Sequence, residues 1–322
     1  MEQLKIAGQR PQTLVWSKLF EYRLIVLMAL LIVLMTAMTD GTFLQWGNIR
    51  NLLSQSAIVG ILTIAQCLVI LTGGIDLSVG AIMAAASLAY VIQQDIGLML
   101  SILLAVAVGA LFGAFNGFFV TRIKLTPFIV TLATMEIARG LSSTAVRGEP
   151  IFNIRSEFLT FGSMRPLGIP LQVYVWIVLV LATWFLLHRT TWGKAVYATG
   201  GNERAAKLSG IDTRRTKMSV YVYAGLLCAI AGILFTSRLA IGEPSAGDSY
   251  NLDSIAAVVI GGVALSGGEG KLSHAMIGVL IFAMLNNFMN LLGVSPFYQQ
   301  ALKGIIIILA IYVNIRKQGS RH

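Results

Sequence analysis

The chain has 322 residues, of which 56% are hydrophobic and only 12% charged, and its mean hydropathy is +0.78. A soluble domain is about 25% charged, and a core built from a chain of this length cannot hide so many apolar side chains. The net charge of +10 would suit a nucleic-acid binder, but the lysines and arginines gather between apolar runs, where they read as a membrane-orientation signal.

Roughly ten apolar runs approach the ~20 residues a helix needs to cross a bilayer. They cover residues 24–38, 56–71, 77–92, 98–121, 127–145, 171–188, 218–237, 254–265, 274–292 and 298–315. The pattern predicts an all-α, polytopic integral membrane protein with about ten transmembrane helices, some of them short or broken by glycine. It reads as one transmembrane domain over 1–322, because no hydrophilic block is long enough to fold separately. Lys5, Arg10, Lys18 and Arg23 precede the first run as in a secretory leader. The leader is long and lacks a well-placed small-x-small cleavage site, so an uncleaved anchor is expected.

The second run ends in Gly73-Gly74-Ile75-Asp76-Leu77-Ser78-Val79-Gly80, and the eighth in Gly261-Gly262-Val263-Ala264-Leu265-Ser266-Gly267-Gly268. Both read G-G-x-x-L-S-x-G. Non-helical backbone at membrane depth survives only where protein or water satisfies it, so a repeated break points to a transporter-like interior. Asp76 is expected to cap the following helix through the backbone N–H groups of residues 77–79; gating or contact with a partner protein is the alternative. The run 254–265 is short enough for a half-helix or re-entrant segment.

Cys67 and Cys228 lie inside apolar runs and read as small buried hydrophobes, not as a disulfide or metal pair. Glu136 and Arg139 stand three apart on one helical face and are expected to cancel each other as an interior structural pair. Asn116, Asn286, Asn287 and Asn290 suit either helix-to-helix ties or a polar path. Trp176 and Trp184 read as interfacial anchors or packing in preference to stacking platforms for a ligand. The histidines His188, His274 and His322 are scattered, and no catalytic or metal-ligating constellation emerges.

Orientation follows from the basic segments: the arm 1–23, Arg122-Ile123-Lys124, the loop 189–217 and the tail 316–322. With ten spans all four fall on one side, which makes that side and both termini cytoplasmic. The loop 189–217 holds the most informative polar sequence. Asn202 suits an N-cap, Glu203 the first turn and Lys207 the last, and Ser209-Gly210 would stop the helix after about two turns. Ala205, Ala206 and Leu208 would give it a small apolar surface. One reading is a helix that docks into a partner's groove; the other is a solvated basic loop with a stray helical turn.

Four stretches resemble the ribose-type sugar permeases of ATP-binding-cassette importers, within the branched-chain amino acid and ribose permease superfamily. They are Leu71-Thr72-Gly73-Gly74-Ile75-Asp76-Leu77-Ser78-Val79-Gly80; Gly200-Gly201-Asn202-Glu203-Arg204-Ala205-Ala206-Lys207-Leu208-Ser209-Gly210-Ile211; Leu252-Asp253-Ser254-Ile255-Ala256-Ala257-Val258-Val259-Ile260-Gly261-Gly262; and Asn286-Asn287 followed by Leu291-Leu292-Gly293-Val294. The likeness runs in order from about Asn48 to Tyr312. It implies a bacterial inner-membrane permease that moves ribose or a similar monosaccharide. It also implies a second permease copy, a cytoplasmic ATPase coupled through Gly201–Ile211, and an external sugar-binding protein. The chain itself would bind no cofactor. An ATPase needs G-x-x-x-x-G-K-[ST] to cradle phosphate, and the nearest approach, Gly270-Lys271-Leu272, lacks the upstream glycine and the hydroxyl. ATP would therefore act on the partner chain, and this chain is expected not to be an enzyme. The rival readings are an ion-coupled secondary sugar transporter, whose broken helices would look similar, and a passive channel.

Overall fold

The computed structural model describes residues 11–319, so Lys5, Arg10 and residues 320–322 of the expected basic termini lie outside it. Helix accounts for most of the described chain. The one strand-like feature among these residues is an isolated antiparallel bridge between Ile151 and Gly242. The helices are α1 (Pro11–Met38), α2 (Trp46–Leu71), α3 (Val79–Val91), α4 (Leu98–Phe118), α5 (Pro127–Ala145), the single turn α6 (Thr160–Ser163), α7 (Leu171–Arg189), α8 (Thr191–Gly201), α9 (Glu203–Leu208), α10 (Thr213–Leu239), α11 (Tyr250–Ile260), α12 (Leu272–Leu291) and α13 (Pro296–Gly319).

Each of the ten predicted apolar runs lies on a helix, and most helices extend past the run at one end or both. α2 begins ten residues before its apolar run, at Trp46, because Asn48, Arg50 and Asn51 are compatible with helix but invisible to an apolar count. α5 starts at Pro127, whose fixed φ suits the first helical position, after an extended Thr126. The run 254–265 ends its helix at Ile260, so α11 is a short eleven-residue piece followed by a glycine turn.

α2 is the central pillar. It is buried on every side from Ser56 to Leu71, as expected of a helix that is apolar all round. α10 packs against α2, α3 and α4, while α11 and α12 cover the other side of α2. α13 lies on α11, and α1 on α12. α4 and α10 approach closely because glycine faces glycine: a Cβ on Gly109 would collide with the Gly225 carbonyl, and one on Gly225 with the Gly109 carbonyl. Small residues of this kind let membrane helices gain contact where no hydrophobic drive exists.

Among the described residues, five helices are long and apolar enough to cross a membrane: Trp46–Leu71, Leu98–Ile123, Leu171–Arg189, Thr213–Leu239 and Leu272–Leu291. Leu24–Met38, Val79–Val91 and Tyr250–Ile260 are shorter apolar helices. α4 and α7 are strongly apolar yet present Leu103, Leu111, Val178, Leu181 and Phe185 outward. In water such a belt would be an aggregation surface; in a bilayer, lipid covers it. The chain is an integral membrane protein.

Candidate functional site

The segment between α7 and α10 folds into two short helices for local reasons. Thr190 caps α8, its Oγ1 accepting from the Gly193 N–H at 3.3 Å. Asn202 caps α9, its Oδ1 accepting from the Ala205 N–H at 2.9 Å, and Gly210 ends it in left-handed backbone (φ 83°). Asp212 then caps α10 by accepting from the Arg215 N–H at 3.0 Å. Glu203 clamps these pieces together: its carboxylate receives Lys207 Nζ and Lys217 Nζ, each at 2.6 Å, and Thr213 Oγ1 at 3.3 Å. Burial alone would raise the Glu203 carboxyl, but the two ammonium groups outweigh it and hold it at about 2.

The apolar surface of α9 differs from the sequence expectation. Ala206 is buried against the rest of the chain, whereas Leu208 is 84% exposed and Ala205 lies beside solvent. A two-turn helix turns one of three neighbouring apolar residues inward, so the outward face is Ala205 and Leu208.

The first break is fixed by polar side chains. Gly73 takes φ 79°, and a Cβ on Gly74 would lie 2.9 Å from Tyr221 Oη. Asp76 Oδ1 accepts from the Ser78 N–H at 2.7 Å and from Ser78 Oγ at 2.5 Å. Asn116 Nδ2 donates to Ser78 Oγ at 2.9 Å, and Thr134 Oγ1 donates to Asn116 Oδ1 at 2.6 Å. The Leu77 N–H goes to Thr131 Oγ1 at 3.1 Å and the Gly80 N–H to Asn251 Oδ1 at 2.6 Å. Gln66, with its amide oriented to match donors to acceptors, brackets the Asp76 backbone, donating to its carbonyl at 2.8 Å. Asp76 thus braces the entry to α3 through Ser78 alone, while Leu77 is served by α5. The freed backbone groups of the break are met by side chains from α2, α4, α5 and α11, the condition for broken backbone in an apolar interior.

The second break begins where Gly261 packs against Ala275 and Gly262 turns with φ 77°. It then folds back onto the end of α2, the Gly268 N–H donating to the Leu71 carbonyl at 3.0 Å. Tyr197 Oη, on α8, donates to the Gly270 carbonyl at 3.1 Å. Gly200 and Gly201 close the arrangement. A Cβ on Gly200 would strike the Leu71 carbonyl and the Gly268 nitrogen, and one on Gly268 would strike Gly201. A Cβ on Gly267 would lie 2.7 Å from the Gly73 nitrogen. The two breaks and the strand of backbone leading into α9 therefore meet at one glycine junction. No spacing in the sequence signals this contact, although each member lies in a motif that stands out.

The asparagines divide. Asn116 ties α4 to the first break and α5, and Asn287 exchanges amide hydrogen bonds with Asn48 at 2.8 and 2.9 Å, tying α12 to α2. Asn290 accepts from Gln299 Nε2 at 2.8 Å. Asn286 is buried with no partner for its Oδ1 among the described residues, and it borders a cavity with Gln55, Asp253 and Lys303. The Asp253–Lys303 ion pair, 3.1 Å apart and largely buried, escaped the sequence reading; its available signal was Lys303 inside the run 298–315 and Asp253 at the edge of the run 254–265. Trp176 is packed on Gly60, and Trp184 stacks on His188 at 5.2 Å.

One expectation needs correcting. Glu136 and Arg139 do not form an isolated interior pair: Glu136 is 64% exposed at the side chain, and Arg139 lies 3.4 Å from it but 2.7 Å from Asp248. Spacing on one helix cannot reveal a third charge that a distant loop brings alongside.

The chain belongs to the family of permease components of branched-chain amino acid transport systems, whose model matches residues 48–311. It is 46% identical to the ribose import permease protein RbsC of Bacillus subtilis strain 168 over 90% of this chain and 91% of that one. It is 39% identical to the ribose import permease protein RbsC of Escherichia coli K12, over 97% and 98%. It is 37% identical to the fructose import permease protein FrcC of Rhizobium meliloti, over 91% and 85%. No solved structure matches it.

Proposed function

We propose that this chain is the membrane subunit of an ATP-binding-cassette importer that carries a monosaccharide, ribose or a close relative, inward by alternating access. The observation that carries the reading is the glycine junction: a short capped helix with an outward apolar face is joined directly to the point where both helix breaks meet. A partner that moves α9 pulls on both breaks at once. Family membership and the ribose and fructose import permeases among the relatives support the substrate class.

In this reading ten helices span the membrane, namely α1 to α5, α7 and α10 to α13. Arg122, Lys124, Lys207, Arg214, Arg215 and Lys217 gather round the same end of the bundle as α9, which the positive-inside rule makes cytoplasmic, with both termini. The chain is one permease domain in the bacterial inner membrane, with a basic arm 1–23, a coupling loop 189–217 and a tail 316–322. ATP binds and is hydrolysed on a separate cytoplasmic ATPase, and an external binding protein delivers the sugar. Glu136 stands on the outer surface of this one chain, and a charged helix face is costly against lipid. A second permease copy lying along α5 removes that cost.

Replacing Ala205 and Leu208 with glutamate tests the coupling role without touching the buried Ala206. We expect the variant to reach the membrane at normal abundance but to lose co-purification with its partner ATPase. Normal co-purification, with sugar-stimulated ATP hydrolysis intact, would show that α9 is only a solvated turn.

A further inference from the structure

Beside the close crossing of α4 and α10 lies an open cleft. Gly117 is the last small residue of the seam, packed on Met218, and beyond it residues Phe119–Ile123 form a wide turn that stays against α10 and sets Arg122 beside Arg214 and Arg215. The cleft holds about 460 Å³. Met218, Val222 and Leu226 line its wall, and Arg122, Arg214 and Arg215 ring its mouth. Met218, Val222 and Leu226 are spaced by four and form one stripe up α10. At about 1.5 Å per residue that stripe rises roughly 12 Å from Met218 into the bundle's apolar belt.

We propose that this cleft is a binding site for an anionic phospholipid, with the phosphate held by the arginines and an acyl chain laid along the α10 stripe. The charge balance favours it. Arg215 is ion-paired to Asp212 at 3.1 Å, but Arg122 and Arg214 have no acidic partner among the described residues. Guanidinium groups match phosphate oxygens in paired, planar geometry. Basic pockets between membrane helices on the cytoplasmic side are where anionic headgroups collect. The apolar wall argues against a soluble partner, because Met218, Val222 and Leu226 remain partly exposed along a stripe that climbs into the apolar part of α10, out of reach of a protein in the cytoplasm. Arg214 also lines a neighbouring groove with Lys207 and Lys217, beside Glu203. A bound lipid would therefore stand next to the clamp that positions α9. The proposal rests on the membrane topology above only for the side of the bilayer, which labelling an Arg215→Cys variant from either face of sealed vesicles settles separately.

The test is native mass spectrometry of the full chain in detergent, with phosphatidylglycerol or phosphatidylcholine of identical acyl chains. We expect the wild type to retain phosphatidylglycerol preferentially, and the double variant Arg122→Ala, Arg214→Ala to hold it about tenfold more weakly. Leu226→Trp, which fills the cleft and keeps every arginine, should also lose the lipid, while excess inorganic phosphate should not strip it from the wild type. Equal retention by wild type and double variant overturns the proposal, as does equal affinity for the two lipids. Release by inorganic phosphate would mark a free-phosphate site instead. A double variant that keeps its lipid but loses the ATPase would mark a protein-docking surface, and either result contradicts the assignment.

Discussion

Glu203 is the polar side chain that ties α9 to α10, since among the described residues it alone accepts from both Lys207 and Lys217. Its carboxyl is held at about 2 against an ordinary 4.5. A depressed carboxyl contributes stability that is present above the ordinary value and is lost as pH falls from about 4.5 towards about 2. Glu203→Gln should remove the clamp at every pH; exposed ion pairs are worth only about 0.2–1 kcal/mol each, so the loss is local rather than global. Amide exchange in α9 should quicken in the variant at neutral pH and lose the acid dependence seen in the wild type over that window. An unchanged acid dependence would assign the clamp to another group. Lys303 makes the opposite case. Replacing it with methionine leaves Asp253 charged and buried, a loss of about 3–5 kcal/mol, and the unfolding temperature in detergent should drop sharply. Glu136→Gln should barely shift that temperature, because Arg139 keeps Asp248 at 2.7 Å. Equal shifts for the two variants would contradict this ranking.

Among elements, the helices were legible because an apolar run near the length of a span has few alternatives, and α5 and α7 began where the runs began. The caps of α9 were legible for the same local reason: Asn202, Ser209 and Gly210 act through their immediate neighbours. The junction was not legible. Leu71, Gly200 and Gly268 belong to three separate motifs, and only the packing of α2, α8 and the second break brings them together. The role of Ala206 was misread because apolar character alone does not say which side of a two-turn helix faces inward. The junction predicts a specific asymmetry between glycines. Gly268 (φ 73°) and Gly41 (φ 80°) are both left-handed, but Gly41 has open space around it, whereas a Cβ on Gly268 meets Gly201. Alanine at either site carries a backbone cost of about 1–2 kcal/mol. Only Gly268→Ala should also cut sugar uptake several-fold at normal membrane abundance. Comparable uptake in both variants would mean that the junction transmits nothing.

At the scale of the whole molecule, a buried pillar, α2, stands within helices whose outer faces are hydrocarbon, and buried polar groups gather at the two breaks, at the Asn48–Asn287 tie and at the Asp253–Lys303 pair. One end carries the basic ring, α9 and the junction, so a force applied there reaches both interruptions of the membrane helices by direct backbone contact. An ion-coupled carrier would instead place an unpaired carboxylate in its core. Asp253 is paired with Lys303, while Asp76 is hydrogen-bonded by Ser78 but has no ion-pair partner among the described residues, so the ion-gradient arm of the test below bears directly on it. The most direct test is uptake into proteoliposomes that hold this chain with its ATPase and are supplied with the external sugar-binding protein. The account predicts accumulation of the sugar only when ATP reaches the face bearing α9, unchanged when proton and sodium gradients are dissipated. Accumulation by this chain alone, driven by an ion gradient without ATP, would contradict it.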